Sequence, residues 1–160
     1  MAKFEDAFLY MIHNEVGGDM VNGGYTVDPD DPGGETRWGI SKSTYPNVDI
    51  KNLTLDGAKA IYLRDYWRFS GINDQRVATK VFDHYVNRKA TIQQVQVAAG
   101  AIADGIYGGN TEHAINVMDP AVFLQNFVNG LIAMYNDLIA KNPKLAKYKN
   151  GWLNRARRLP

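Results

Sequence analysis

Cysteine is absent from this 160-residue chain, which excludes disulfide frameworks, cysteine nucleophiles and thiolate metal sites. No apolar run approaches the roughly 18 residues that a membrane-spanning helix needs. The opening residues, Met1-Ala2-Lys3-Phe4-Glu5-Asp6, lack the basic patch and hydrophobic core of an export signal, so neither membrane insertion nor a secretion signal is expected. Net charge is only +1, without the overall basic excess of a general nucleic-acid binder, and no nucleic-acid partner is expected. The three histidines, His13, His84 and His113, are too widely spaced for a two-histidine zinc helix, and each reads as an ordinary surface or supporting residue. No glycine-rich loop ending in Lys and Ser or Thr is present to cradle a phosphate. Chemistry must therefore come from carboxylates, hydroxyls, amines or the three histidines.

What is present is ordinary for a folded protein: 45% hydrophobic and 22% charged residues, in a length that suits one domain. Charge is distributed unevenly. Residues 1 to 40 carry eight Asp and Glu against two Lys and Arg, whereas residues 141 to 160 carry seven Lys and Arg and no acid. Such a tail either solvates a terminal helix or draws the protein towards an anionic surface.

Apolar residues at helical spacing predict a mainly α architecture. Phe4, Ala7, Phe8, Met11 and Ile12 mark a helix over 3 to 15 that stops at Gly17-Gly18. Thr54 caps a helix running to about Phe69, and a second spans about 74 to 88. Ile92, Val95, Ala99 and Ile102 mark a third, ending at Asp104-Gly105, followed by a short helix from about Thr111. Asp119-Pro120 opens a long helix that ends at Asn142-Pro143. The stretch from 16 to 37 is rich in Gly, Asp, Pro and Asn and has no period. An unpatterned segment of that length in a compact domain usually serves a function. Its end, Trp38-Gly39-Ile40-Ser41, reads as a short strand or turn.

Glu15 follows Phe4, Phe8 and Met11 in steps that keep it on the same helix face, so an acid stands where the apolar stripe would continue. That is the setting of a general acid, or of a solvated residue one turn beyond the stripe. The next loop offers Asp19, Asp28, Asp30, Asp31 and Glu35 as partners, and paired carboxylates are the usual apparatus of glycosidic cleavage. A calcium loop fits less well. Asp28, Asp30 and Gly33 take its first, third and sixth positions, but Pro32 stands at the fifth and Gly39 at the twelfth, where Glu is required. Among the aromatics, Tyr25 and Trp38 are better placed to stack on sugar rings than Tyr62, Tyr66, Trp67 or Tyr107, whose counterparts on helices are commonly core.

Taken together, Glu15, the glycine step, Tyr25 and the run Asp28-Pro29-Asp30-Asp31-Pro32-Gly33-Gly34-Glu35-Thr36-Arg37-Trp38-Gly39-Ile40-Ser41 resemble the signature of glycoside hydrolase family 108, the phage-type N-acetylmuramidases. Ile61-Tyr62, Tyr66-Trp67, Val81-Phe82-Asp83 and Val86-Asn87 are similar to that family's helical middle. Asp104-Gly105-Ile106-Tyr107-Gly108-Gly109-Asn110-Thr111 resembles its peptidoglycan-binding half, and Gly151-Trp152-Leu153-Asn154-Arg155 its C-terminal motif. Two departures stand out. Val16 and the six residues Asp19 to Gly24 lengthen the segment between Glu15 and Tyr25, and Arg88 follows Asn87 where the family commonly has a small residue.

The resemblance implies a single-domain, lysozyme-like helical fold with a long Gly/Asp-rich loop or small β element. Residues 1–90 would form the catalytic region and 91–160 a peptidoglycan-binding helical region, packed as one compact unit. It implies a phage or prophage endolysin that hydrolyses the β-1,4 bond between N-acetylmuramic acid and N-acetylglucosamine, without a cofactor or metal and as a monomer. Such an enzyme would accumulate in the host cytoplasm and reach the periplasm or cell wall after holin-type release. Glu15 maps to the catalytic acid, Asp31 to the second carboxylate and Thr36 to the water-positioning hydroxyl. Asp28 and Asp30 remain alternatives to Asp31, which keeps its register to Gly33-Gly34 and Thr36. Tyr25, Asp28, Trp38, Tyr66 and Asn87 map to substrate contacts. A lytic transglycosylase acting on the same bond and a non-catalytic wall-binding module are the competing readings.

Overall fold

Several helix starts follow side chains that cap them. Thr54 Oγ1 accepts from the Gly57 N–H at 3.1 Å, and Asp119 Oδ1 accepts from the Ala121 and Val122 N–H groups at 2.9 and 3.1 Å. The computed structural model describes residues 1–27 and 33–160. Among these, α1 (Phe4–Glu15) is followed by β1 (Thr26–Val27), β2 (Glu35–Arg37), β3 (Ile40–Ser41) and α2 (Leu55–Asp65). Then come α3 (Gln75–Asn87), α4 (Thr91–Ala98), α5 (Gly109–Asn116), α6 (Pro120–Lys141), a 3-10 segment (Pro143–Tyr148) and α7 (Lys149–Arg157). The fold is mainly α with one small antiparallel sheet, as the sequence predicts. No single helix among the described residues is long and apolar enough to cross a membrane.

The chain forms two compact units, residues 4–67 and residues 68–160 joined by 1–3. In the first, α1 packs on α2 through a chain of rings. Trp67 meets Phe4, Phe4 meets Phe8, Phe8 meets Tyr62 and Tyr62 meets Tyr66, with centroids 5.5 to 6.0 Å apart. The sheet runs β1-β2-β3, pairing Thr26 with Thr36 and Thr36 with Ser41. α2 stops at Asp65, four residues short of the predicted end. Phe69 looks like a continuation of its stripe, but it is buried in the other unit, edge-on to Phe82, Tyr85 and Tyr107.

In the second unit α6 lies against α4 and α7. α4 also ends before the sequence predicts. Gly100, at φ 68°, turns the chain, and the Ala101 N–H returns to the Gln96 carbonyl at 2.8 Å, leaving Ile102 exposed. Gln96 then organises the following loop. Its amide nitrogen faces Asp104 Oδ1 at 2.7 Å and Thr111 Oγ1 at 3.2 Å, while its oxygen accepts from the Gly105 N–H at 2.8 Å. The motif from Asp104 to Thr111 is therefore shaped by a buried carboxamide eight residues upstream.

α3 is buried from Val77 to Tyr85 and carries a charged cluster inside. Asp83, fully buried, accepts from Arg155 at 2.8 Å, so Val81-Phe82-Asp83 and the C-terminal Gly151-to-Arg155 motif are joined by one ion pair. Lys80 donates to the carbonyls of Arg155 and Arg158 at 2.8 and 2.5 Å, and burial lowers its pKa to about 8. Of the two settings expected for the histidines, surface or supporting, His84 takes the second. It is enclosed beside Asp83 and Tyr135, and desolvation lowers its pKa to about 3, so it stays neutral. Trp152 stacks on Tyr135 and Tyr148. At least two of the tail's basic groups are thus held inside the chain's own pairs, Arg155 on Asp83 and Lys141 on Asp137.

Candidate active site

α1 delivers Glu15 on its last residue. The helix ends in a glycine cap, with Gly17 at φ 59° and the Gly18 N–H returning to the His13 carbonyl at 3.1 Å. Glu15 is half-buried there, and the stripe it continues is buried at Phe4, Phe8 and Met11. The acid therefore occupies the end of the core face, the position its register predicts.

Opposite its carboxyl lies the turn between β2 and β3. Because Arg37 pairs with Ile40, Trp38 and Gly39 form a two-residue hairpin turn, with φ values of 55° and 72°. Trp38 is the one non-glycine residue with positive φ among the described residues, a conformation that costs about 1–2 kcal/mol. Three bonds hold it there. Its N–H donates to the Gly23 carbonyl at 2.7 Å, its carbonyl accepts from Tyr62 Oη at 3.0 Å, and its indole N–H donates to the Leu53 carbonyl at 3.0 Å. A side chain on Gly39 would come within 2.5 Å of Tyr62 Oη and 3.2 Å of Glu15 Oε2, so bare backbone is what leaves room for the acid. Tyr62, which sequence patterning assigns to the core, is thus also a positioning residue. Its pairing with Trp38 spans 24 residues and leaves no trace in local spacing.

Gly39→Ala is expected to lower activity at least about tenfold while costing more stability than strain alone. Gly100→Ala supplies the strain-only comparison, because Gly100 has a similar φ and no atom within 4 Å of a new Cβ. Thermal melts and catalytic rates of the two variants measure the difference. Equal activity for the two would show that Gly39 does not shape the site.

The insertion from Asp19 to Gly24 is folded onto the same turn. Asp19 accepts from the Asn22 N–H at 3.0 Å, and that bond holds its carboxyl below its ordinary range. Gly23 lies so close to the Trp38 indole that a Cβ would sit 2.4 Å from the ring. Tyr25 donates to Glu35 Oε1 at 2.7 Å, which raises the phenol's pKa, and Arg37 lies over its ring at 5.9 Å. Of the loop's five acids, Asp19 therefore caps a turn and Glu35 serves Tyr25. Asp28, Asp30 and Asp31 lie outside the described residues.

Thr36 sits half-buried in the central strand and donates to the Gly34 carbonyl at 3.4 Å. Tyr66 is half-buried at the end of α2. Trp38 is expected to stack on a sugar, but only 3% of it is exposed and its ring is enclosed, so it shapes the turn rather than offering a face. Asn87, at the end of α3, is exposed and donates to the Asp83 carbonyl at 3.0 Å. The structure places Glu15, Tyr25, Thr36, Trp38 and Tyr66 in the first compact unit and Asn87 in the second. Among the described residues no cluster of three His, Asp or Glu is arranged to hold a metal ion.

Comparison with known proteins yields two family matches. Residues 20–88 match the glycosyl hydrolase 108 model, and residues 89–157 match the predicted peptidoglycan domain. The first match begins just after Glu15, and the junction between the two falls one helix later than the boundary between the compact units. A structure described as Brucella abortus SagA superposes with a TM-score of 0.67 at 22% identity, covering 97% of this chain and 96% of that one. A search of curated proteins returns no match.

Proposed function

We propose that this chain, which matches the glycosyl hydrolase 108 model over residues 20–88 and the predicted peptidoglycan domain over 89–157, is an N-acetylmuramidase with Glu15 as its acid. At the coarser level it is a glycoside hydrolase that acts on peptidoglycan. The finer reading is cleavage of the β-1,4 bond on the N-acetylmuramic acid side. The observation that carries it is a half-buried carboxyl at the end of α1 facing a side-chain-free turn at Gly39, a turn that Tyr62 and Trp38 hold in place.

In this mechanism Glu15 protonates the glycosidic oxygen as the bond to the anomeric carbon breaks. Asp31 supports the oxocarbenium-like transition state or takes a proton from the incoming water, and Thr36 orients that water from the central strand. Tyr25, Asp28 and Tyr66 contact the glycan. The turn at Trp38 fixes the floor of the site. The assignment of Asp31 rests on its register to Thr36, and on Asp19 and Glu35 being engaged elsewhere. As a phage or prophage endolysin the protein acts as a monomer, accumulates in the host cytoplasm and reaches the wall after holin-type release.

Purified protein added to isolated sacculi is expected to clear them and release soluble muropeptides, and persistence of the sacculi would remove the proposal. Asp31→Asn is expected to slow clearance by about 10²-fold, the scale of a general base. Asp28→Asn and Asp30→Asn are expected to have smaller effects. If either of those proves the most damaging of the three, the second carboxylate is misassigned.

A further inference from the structure

A groove of about 580 Å³ opens along α6 within the second unit, in the size range of small-ligand sites. Its floor is apolar, formed by Leu124, Val128, Ile132 and Leu159. Two guanidinium groups, Arg76 and Arg157, stand at its walls, and among the described residues no carboxylate lines it. The two arginines differ. Arg76 is paired with Asp74 through Nε and a terminal nitrogen at 3.2 and 2.8 Å. Arg157 is exposed in the last turn of α7 and has no acidic partner among the described residues. Gln125 and Asn129 also face the groove. One hydrogen bond of 3.1 Å joins them, leaving Gln125 Oε1 and Asn129 Nδ2 to meet a peptide backbone.

This lining selects a ligand class. An open guanidinium without a competing acid calls for a carboxylate. A short apolar floor suits methyl-sized side chains, and adjacent amide groups suit a main chain. Among the described residues no aromatic ring lines the groove, so they offer no stacking platform of the kind that a bare sugar face uses. We propose that the groove docks the carboxylate-bearing stem peptide of peptidoglycan, with a peptide carboxylate on Arg157 and alanine methyls on the α6 floor. The inference rests on the peptidoglycan reading above and deepens it. The second unit would hold the peptide branch of the polymer, whereas the first unit cleaves its glycan. Most of the lining, from Ala121 to Ile132 together with Arg157, falls in the segment that matches the predicted peptidoglycan domain.

The test uses the full chain and a synthetic pentapeptide, L-alanyl-γ-D-glutamyl-L-lysyl-D-alanyl-D-alanine, alongside the same peptide with its carboxylates amidated. Backbone amide shifts across residues 121–132 report binding in the groove. The acidic peptide is expected to shift these amides saturably. Arg157→Gln should weaken it about tenfold, the loss of one charge-assisted bond. The amidated peptide should bind the parent about as weakly as the acidic one binds the variant. Arg157 is exposed, so the variant should melt like the parent, and Arg157→Glu should weaken the acidic peptide further. No groove shifts, or equal binding of the acidic and amidated peptides, would overturn the proposal. Sacculus clearance by the same preparations separates the two readings: clearance without peptide binding removes only the groove assignment, and peptide binding without clearance removes only the hydrolase mechanism.

Discussion

Glu15→Gln is expected to lower wall hydrolysis by about 10²- to 10⁴-fold, the range that general acid catalysis contributes, with no loss of folding. The amide keeps the size and hydrogen-bonding shape of the carboxyl but has no acidic proton to give. Glu15 is half-exposed at a helix end and substitutions at such positions usually change stability by less than about 0.5 kcal/mol, so a fall in rate would report chemistry. Glu15→Asp keeps the proton and withdraws it by one methylene from the place that the Gly39 turn leaves open, and a misplacement of about 1 Å costs on the order of 10²-fold. The expected order is parent, then Asp, then Gln. A folded Gln variant that clears sacculi at more than a few percent of the parent rate would remove Glu15 from the mechanism.

The largest stability effect is expected at Asp83. Its carboxylate is fully buried and balances Arg155, which is mostly buried, with the enclosed Lys80 ammonium nearby. Asp83→Asn would leave those cations without their anion, and removing one partner of a buried pair costs about 3–5 kcal/mol. Across a unit of this size the melting temperature would fall by at least about 10 °C. Asp137→Asn breaks an exposed pair with Lys141 and should cost under about 1 kcal/mol. Calorimetry of the two variants decides the point, and equal melting temperatures would contradict this description of the cluster. Acid should act on the same place. His84 titrates near 6.5 when unfolded and near 3 when folded, so the unfolded chain binds the extra proton first. Stability from this group is complete above about pH 6.5 and is lost as pH falls towards 3.

Much of this was legible in the residues. α1, α3 and α6 follow from apolar period and end signals, α7 is not among the helices expected from that period, and Glu15 was placed by its register with Phe4, Phe8 and Met11. Boundaries slipped where a residue served another core, as Phe69 does, or where a single left-handed glycine, Gly100, overrode a continuing stripe. The strands are two or three residues long, too short to show a period of two. The bond that shapes the site joins Tyr62 to Trp38 across 24 positions, and the buried ion pair of the second unit joins Arg155 to Asp83 across 72. Nothing in local spacing predicts such pairs. Trp38 is expected to offer a stacking face, but the strained turn that needs its backbone also encloses its ring.

The central claim is hydrolysis of the muramic acid bond by a carboxylic acid and a water, and the masses of the products test it most directly. Sacculi digested by the parent enzyme should yield muropeptides with N-acetylmuramic acid at the reducing end, one water heavier than the corresponding anhydro form. Borohydride reduction before mass spectrometry should convert that end to muramitol. Products ending in 1,6-anhydro-muramic acid would make the enzyme a transglycosylase, and reducing ends on N-acetylglucosamine would place the cut at the other bond; either result would contradict the account.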